Sequence, residues 1–264
     1  MPKVSEIQPD ARFTGLFIGH SKSGKTVAEG SFPGPQHFMD FDGRIRGLFD
    51  IPWIDKSQMT YDYFPPRKPG LIPELNKKLE TWMVAGAIAS VCDTLPKTLV
   101  TDSITSQNYA FLCQSIPLTH SKDGDKGKWI GPMAMAGPED YGLEAQACYD
   151  YISYIRSLPI RNIIVSAHLV DRYGKLNPSD KYSASVVIGE KLSIRDKIGE
   201  NIGIYFDHVF KFEKEMIGGE DHYFVTFRGD ICSSAYSQLP YGRIDITGKN
   251  FYEVMMSYIK EETK

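Results

Sequence analysis

The chain has 264 residues, a length that suits one large α/β domain better than two independent ones. Hydrophobic residues make up 42% and charged residues 24%, an ordinary globular mixture, and no apolar run approaches the roughly 20 residues needed to span a bilayer, so a membrane protein is not expected. The formal net charge of −3 excludes a globally basic protein that coats nucleic acid, although it leaves room for a locally basic groove.

Met1 to Asp10 are polar and contain proline, with no charged-then-apolar leader; an N-terminal tail over 1–11 and a cytoplasmic location are expected. Arg12 to Gly19 (RFTGLFIG) predicts a short buried strand, because it is aromatic and β-branched and ends in glycine. A glycine-rich turn follows, and a helix opens near Lys25. Gln36 to Phe41 (QHFMDF) predicts a second strand, ending in the acidic turn Asp42-Gly43. After a surface crossing through Pro65-Pro66 and Pro69-Gly70, apolar residues at Leu75, Leu79, Trp82, Met83 and Ala87 predict a helix over 72–93, with Gly86 as its weak point. Thr98 to Thr101 (TLVT) is a third strand, terminated by Asp102-Ser103.

Residues 117–140, rich in Gly, Lys, Asp and Pro, predict a long mobile loop. A helix over 141–158 and a strong strand, Asn162 to Ala167 (NIIVSA), follow. The polar stretch 171–185 then interrupts the pattern. From Ile202 onward the chain is β-rich (YFDHVFKFEKE, HYFVTFRG) and closes with a helix over 250–260. Alternating strands and helices with short buried strands imply an α/β fold over 1–264, a mostly parallel sheet between helices with a β-rich C-terminal third. The four cysteines (Cys92, Cys113, Cys148, Cys232) form no C-x-x-C pair and read as buried thiols in a reducing compartment.

The strongest chemical signal is Gly19-His20-Ser21-Lys22-Ser23-Gly24-Lys25-Thr26, a G-x-x-x-x-G-K-[ST] motif directly after a predicted strand. Its glycines let successive backbone N–H groups converge on phosphate oxygens, and the following helix adds its positive end. Lys25 is expected on the β- and γ-phosphates, and the Thr26 hydroxyl on Mg²⁺. That Mg²⁺ calls for an acid at the end of an apolar strand, and KTLVTDS supplies Asp102; an ordinary strand-end aspartate is the plainer reading. Hydrolysis also needs a group that orients or deprotonates water. Asp42 is the candidate, with a simple turn residue before Gly43 as the alternative; Asp40 points to the same side, deeper along the strand. His168 ends the NIIVSAH strand, where it is either a γ-phosphate sensor or a structural histidine.

In this order the residues resemble the RecA-like branch of P-loop ATPases, where the strand after the cradle ends in a catalytic acid, the next core strand ends in Asp-Ser, and a later strand ends in a polar sensor. The resemblance implies those roles for Asp42, Asp102-Ser103 and His168. Over residues 12–170 the chain is similar in particular to phage-encoded AAA-type nucleotide-binding proteins that include single-strand annealing ATPases. FMDFDG and DYGLEAQACYDYISYIRSLPIRNIIVSAH carry the likeness; beyond them only FDHVFKFE retains a trace of it. Lys22 stands where relatives are often small, Asp42 where many have glutamate, and SSAYSQLPYGRID offers Arg243 as its one basic residue.

The resemblance implies an Mg²⁺-dependent ATPase that binds single-stranded DNA in recombination or annealing, as a homo-oligomer in the host cytoplasm. Its DNA-facing loops would be 117–140, with Lys122, Lys126, Lys128 and Trp129, and 169–190, with Arg172, Lys175, Lys181 and Tyr182. The rival is a nucleotide-dependent assembly or regulatory switch that acts on a protein, which the acidic net charge favours. A small-molecule kinase is the weakest reading, since no arginine-rich lid is evident.

Overall fold

The computed structural model describes residues 12–87, 94–120, 129–130, 133–134, 136–176, 184–229 and 231–260. Strand β1 (Phe13–Gly19) leads through the cradle into helix α1 (Lys25–Glu29), then strands β2 (Gln36–Asp40) and β3 (Met59–Tyr63) and helix α2 (Leu71–Ala87). Strand β4 (Thr98–Asp102), helix α3 (Ile104–His120), a small pair β5 (Trp129–Ile130) and β6 (Met133–Ala134), and helix α4 (Pro138–Ser157) follow. The remainder is β7 (Asn162–Lys175), β8 (Ser185–Leu192), helix α5 (Asp196–Gly199), β9 (His208–Ile217), β10 (Glu220–Thr226), β11 (Ser233–Ser234), β12 (Arg243–Asp245) and helix α6 (Phe251–Lys260).

Ten strands form one sheet with the path β12-β10-β9-β1-β7-β4-β2-β3, with β8 added to β7 and β11 to β9. The stretch from β9 to β3 is parallel throughout. β8, β10, β11 and β12 are antiparallel additions, and most of them make up the β-rich C-terminal third. Every residue of β1, β2 and β4 is buried, as parallel strands covered on both faces must be, and this is why they read as apolar runs with no alternation.

Successive side chains still point to opposite faces, which divides the core in two. Leu16, Ile18, Met39, Leu99 and Val165 pack beneath α2, α3 and α4 through Leu75, Leu79, Phe111, Cys148, Ile152 and Ile155. Phe13, Phe17, Phe38, Val100 and Ile164 pack on the other face against Ala28, Phe32, Leu48, Phe210, Phe212 and Phe251. The second face is mostly aromatic: the Phe17 ring lies 5.0 Å from Phe212 and 5.5 Å from Phe251. Among the described residues no helix is long and apolar enough to cross a membrane. Cys113, Cys148 and Cys232 are free thiols, and Cys92 lies outside the described residues.

Two expectations change. Residues 117–140 are no continuous loop: α3 runs to His120 with Pro117 inside it, β5 and β6 pair, and α4 starts at Pro138. The sequence hid α3 because its serine, threonine, glutamine and asparagine residues blur the apolar stripe. Nor is 169–190 a loop. β7 runs on past the sheet to Lys175 and β8 returns antiparallel from Ser185, with a bulge between Arg172 and Tyr173. This hairpin leaves the body of the protein, so neither face is fully buried and polar residues are tolerated along it. Lys122, Lys126, Lys128, Lys181 and Tyr182 lie outside the described residues.

Phe17 is fully buried in the aromatic layer. Phe17→Ala should cost about 3–5 kcal/mol in a denaturant titration, by the usual loss for a buried phenylalanine; a loss under about 1 kcal/mol would mean that this layer is loosely packed.

Candidate functional site

Parallel register assembles the site. Gly19 at the end of β1 lies beside His168 of β7, and Asp40 at the end of β2 lies beside Asp102 of β4. The carboxyl ends of four strands therefore open onto one edge, with β7 standing between the cradle strand and the strand that carries Asp102.

The cradle needs its glycines for different reasons. A Cβ on Gly19 would lie 2.6 Å from Ser23 Oγ and against the backbone of Phe212, so only hydrogen fits there. Gly24 has φ +91, and a Cβ would meet the Tyr223 ring at 3.0 Å. Lys22 also adopts positive φ, 66, a conformation that costs a non-glycine residue about 1 kcal/mol. Helix α1 has only five residues, so its dipole adds less than the sequence suggested, and positive charge must come from side chains.

Lys25 is buried, with Nζ donating to Gly19 O at 2.8 Å and His20 O at 2.9 Å. Burial lowers its pKa, and Arg44 adds to that, against the opposing pull of Glu29, Asp102 and Asp42. His168 Nδ1 lies 3.4 Å from the same Nζ, and His168 Nε2 lies 2.8 Å from Asp42 Oδ2. A lysine ammonium can only donate, so Nδ1 accepts and Nε2–H donates to Asp42. His168 thus bridges the cradle lysine and the acid.

Asp42 also accepts hydrogen bonds from Ser103 Oγ at 3.1 Å and from Ser106 Oγ. Burial alone would raise its pKa; the bonds from His168, Ser106 and Ser103 outweigh that and hold it below the usual carboxylate value. Asp40 has a different place. Its Oδ1 accepts from the backbone N–H of Asp42 (3.1 Å), Gly43 (2.6 Å) and Arg44 (3.3 Å), and its Oδ2 from Ile45 (3.4 Å). Asp40 therefore pins the turn, and Asp42 faces the cleft.

Thr26 Oγ1 donates to Asp102 Oδ2 at 2.9 Å, and Ser166 Oγ donates to Asp102 Oδ1 at 2.8 Å. Burial, with Asp42 adding negative charge nearby, raises the pKa of Asp102. This hydroxyl and carboxylate pair is the hard-oxygen donor set that Mg²⁺ takes. Among the described residues there is no group of three or more His, Cys, Asp or Glu that could hold a metal, so Mg²⁺ here would draw its other ligands from phosphate and water.

The cradle opens into a cleft of about 510 Å³. Asp42, Asp102 and His168 are among its polar lining, and Ile51, Trp53, Tyr223, Ile246 and Phe251 give it apolar walls. Sequence reading missed the apolar wall, Lys214 and Lys249 on the cleft, because they come from distant segments with no motif, and it missed Arg44, which follows Asp42 by two residues but belongs to no motif. It named Ser103 only as the neighbour of Asp102, and it missed Ser106 and Ser166. Two cradle residues turn elsewhere: His20 Nε2 lies 2.9 Å from Glu190 Oε1 on the hairpin, and Ser21 Oγ accepts from Arg44 Nη1 at 2.8 Å. Ser23 is buried beneath the loop. Arg243 lies over the Phe224 ring and donates to Glu215 at 2.6 Å, so this guanidinium is already engaged.

The fold is α/β as expected from the sequence, a mostly parallel sheet between helices with a β-rich C-terminal third, and the G-x-x-x-x-G-K-T turn joins β1 to α1 at one edge of that sheet. No protein-family model and no curated protein matches the chain. Among solved structures it is similar to a KaiC-like protein from the hyperthermophilic archaeon Pyrococcus horikoshii OT3, with 12% identity and a TM-score of 0.46, over 88% of this chain and 84% of that one.

The depressed pKa of Asp42 has a testable sign. A carboxylate whose folded pKa lies below its unfolded value of 3.8 stabilises the fold above that value, and the contribution is lost as pH falls through the folded pKa. Between about pH 6 and pH 2 the wild type should lose more stability than Asp42→Asn; equal losses would show that His168 and the serines do not hold an ionised carboxylate.

Proposed function

We propose that the chain is an Mg²⁺-dependent ATPase in which Asp42 is the catalytic base, Lys25 holds the β- and γ-phosphates and His168 reports the γ-phosphate to the rest of the fold. The observation that carries this reading is the Lys25–His168–Asp42 chain, with contacts of 3.4 Å and 2.8 Å. Triphosphate oxygens offer Lys25 a better partner than the two carbonyls it now binds, because they bring a full negative charge to the ammonium and a carbonyl brings only a dipole. Asp42, ionised and aimed into the cleft, takes a proton from the attacking water as the bond from the γ-phosphorus to its bridging oxygen breaks, giving ADP and phosphate. Thr26 and Asp102 would hold Mg²⁺, whose charge offsets that of the phosphates. The apolar walls, Trp53 and Tyr223 among them, suit the nucleoside.

The proposed partner is single-stranded DNA, bound by a homo-oligomer in recombination or annealing. The sequence resemblance supports this, and so does the course of β7, which runs without a break from His168 into the hairpin bearing Arg172, Tyr173 and Lys175. Glu190 on the returning strand contacts cradle residue His20, so both hairpin strands start at the nucleotide site. A second reading has its own observation: Leu176, Val187 and Ile188 on the hairpin are 71%, 54% and 56% exposed, which suits a protein partner.

Lys25→Ala should weaken ATP binding about tenfold to a hundredfold, measured by calorimetry. Asp42→Asn should keep binding and lower turnover by about 10² to 10⁴. Retained turnover in Asp42→Asn would remove the base assignment. Single-stranded oligonucleotides should raise the ATPase rate and bind in a salt-sensitive way; a protein that ignores them at low salt, with and without ATP, leaves the protein-partner reading.

A further inference from the structure

Five cationic side chains line the cleft: Lys22, Lys25, Arg44, Lys214 and Lys249. Two of them are already engaged. Lys214 pairs with Asp221 at 2.6 Å, and Lys249 donates to Asp245 O at 2.8 Å. Lys25 is the cradle lysine, and Lys22 is on the exposed loop itself. Arg44 is different. It follows Asp42 by two residues in the turn whose backbone N–H groups Asp40 holds, so its Cα is fixed by the same four hydrogen bonds that place the acid. Its guanidinium reaches across the mouth of the cleft to the hydroxyl of Ser21 at 2.8 Å and is close enough to Lys25 to depress that lysine's pKa.

Among the described residues Arg44 has no carboxylate partner; a neutral serine hydroxyl holds it. Arg243 and Arg195 are instead tied to Glu215 and Glu144. A guanidinium that is fixed at its base, weakly held at its tip and placed over a phosphate cradle is a poor stabiliser of the resting fold and a good ligand for an anion. Its planar fork matches phosphate oxygens two at a time, and an oxyanion would displace the serine.

Resting on the ATPase reading above, we propose that Arg44 contacts the γ-phosphate within its own chain and stabilises the charge that develops there during hydrolysis. The hydrolytic site is then complete in one copy of the chain, and any oligomer serves DNA binding and not the chemistry. The turn Asp40–Arg44 carries both working groups, the base on one side and the cation on the other, so a single short segment sets their spacing.

The test compares wild type, Arg44→Ala and Arg44→Lys for affinity to ADP and to a non-hydrolysable ATP analogue, and for turnover over a wide range of protein concentration. The expected result has Arg44→Ala binding the analogue about tenfold to a hundredfold more weakly, keeping ADP affinity within about threefold, and losing about 10² to 10³ in kcat. Intact ADP binding also shows that the variant is folded. Arg44→Lys should restore only part of kcat, because an ammonium lacks the fork. Wild-type turnover per chain should not change on dilution. An Arg44→Ala variant with unchanged analogue affinity and kcat overturns the assignment, as does equal weakening of ADP and analogue, or wild-type turnover per chain that falls on dilution. If the wild type binds neither nucleotide, the ATPase reading falls and this proposal with it; if it binds and hydrolyses ATP while Arg44→Ala does the same, only Arg44 loses its role.

Discussion

The site depends on parallel register. Gly19 is paired across from His168 and Asp40 from Asp102, so four strand ends meet at one edge within side-chain reach. Side chains alternate along a strand, and a slip of one residue in any of these ladders would turn His168 or Asp102 to the wrong face and carry core residues with it. Burial on both faces prevents the slip: Phe17 and Leu16 fill opposite layers, and neither has room on the other side. The helices that cover the sheet thus hold the site in place, and two of them also supply part of it: Lys25 and Thr26 come from α1 and Ser106 from α3.

A second constraint is electrostatic. Lys25, Glu29, Asp42 and Asp102 lie together with little access to water. Burial pushes the pKa of Asp102 up and that of Glu29 well up, while it lowers that of Lys25, so each is less comfortable charged than it would be at the surface. Of Glu29, Asp42 and Asp102, Asp42 is the one whose pKa is lowered, because three side chains donate to its two oxygens. An arriving phosphate and its cation would relieve both signs at once. A site of this kind is primed by its own desolvation cost, which the packed core on either side supports.

The hairpin formed by β7 and β8 links that site to the surface. His168 and the exposed Tyr173 are on one strand, and Glu190 on the other meets His20 of the cradle and Lys211 of β9. The cradle therefore has two connections into the hairpin, one along β7 and one through the His20–Glu190 contact. In sequence this segment has no apolar period because most of its residues are exposed, and so it reads as a loop. The strand NIIVSA was legible only as far as it is buried.

What the sequence determined by itself was local. The strand, turn and helix of the cradle, the strand that ends at Asp102, and the α/β alternation all show in short stretches, because buried parallel strands are apolar runs and the cradle's glycines have steric duties that no other residue can meet; β7, in contrast, runs past His168 to Lys175, and Asp42 lies in the turn after β2. Tertiary structure decided the rest. Asp40 and Asp42 are indistinguishable by pattern, and only the turn shows that Asp40 binds backbone N–H groups while Asp42 faces His168. Arg44 over Ser21, the serines around Asp42 and the apolar wall of Trp53 and Phe251 come from segments far apart in the chain. Their meeting depends on how the sheet orders its strands and on what packs across it, and single-chain periodicity carries no record of either.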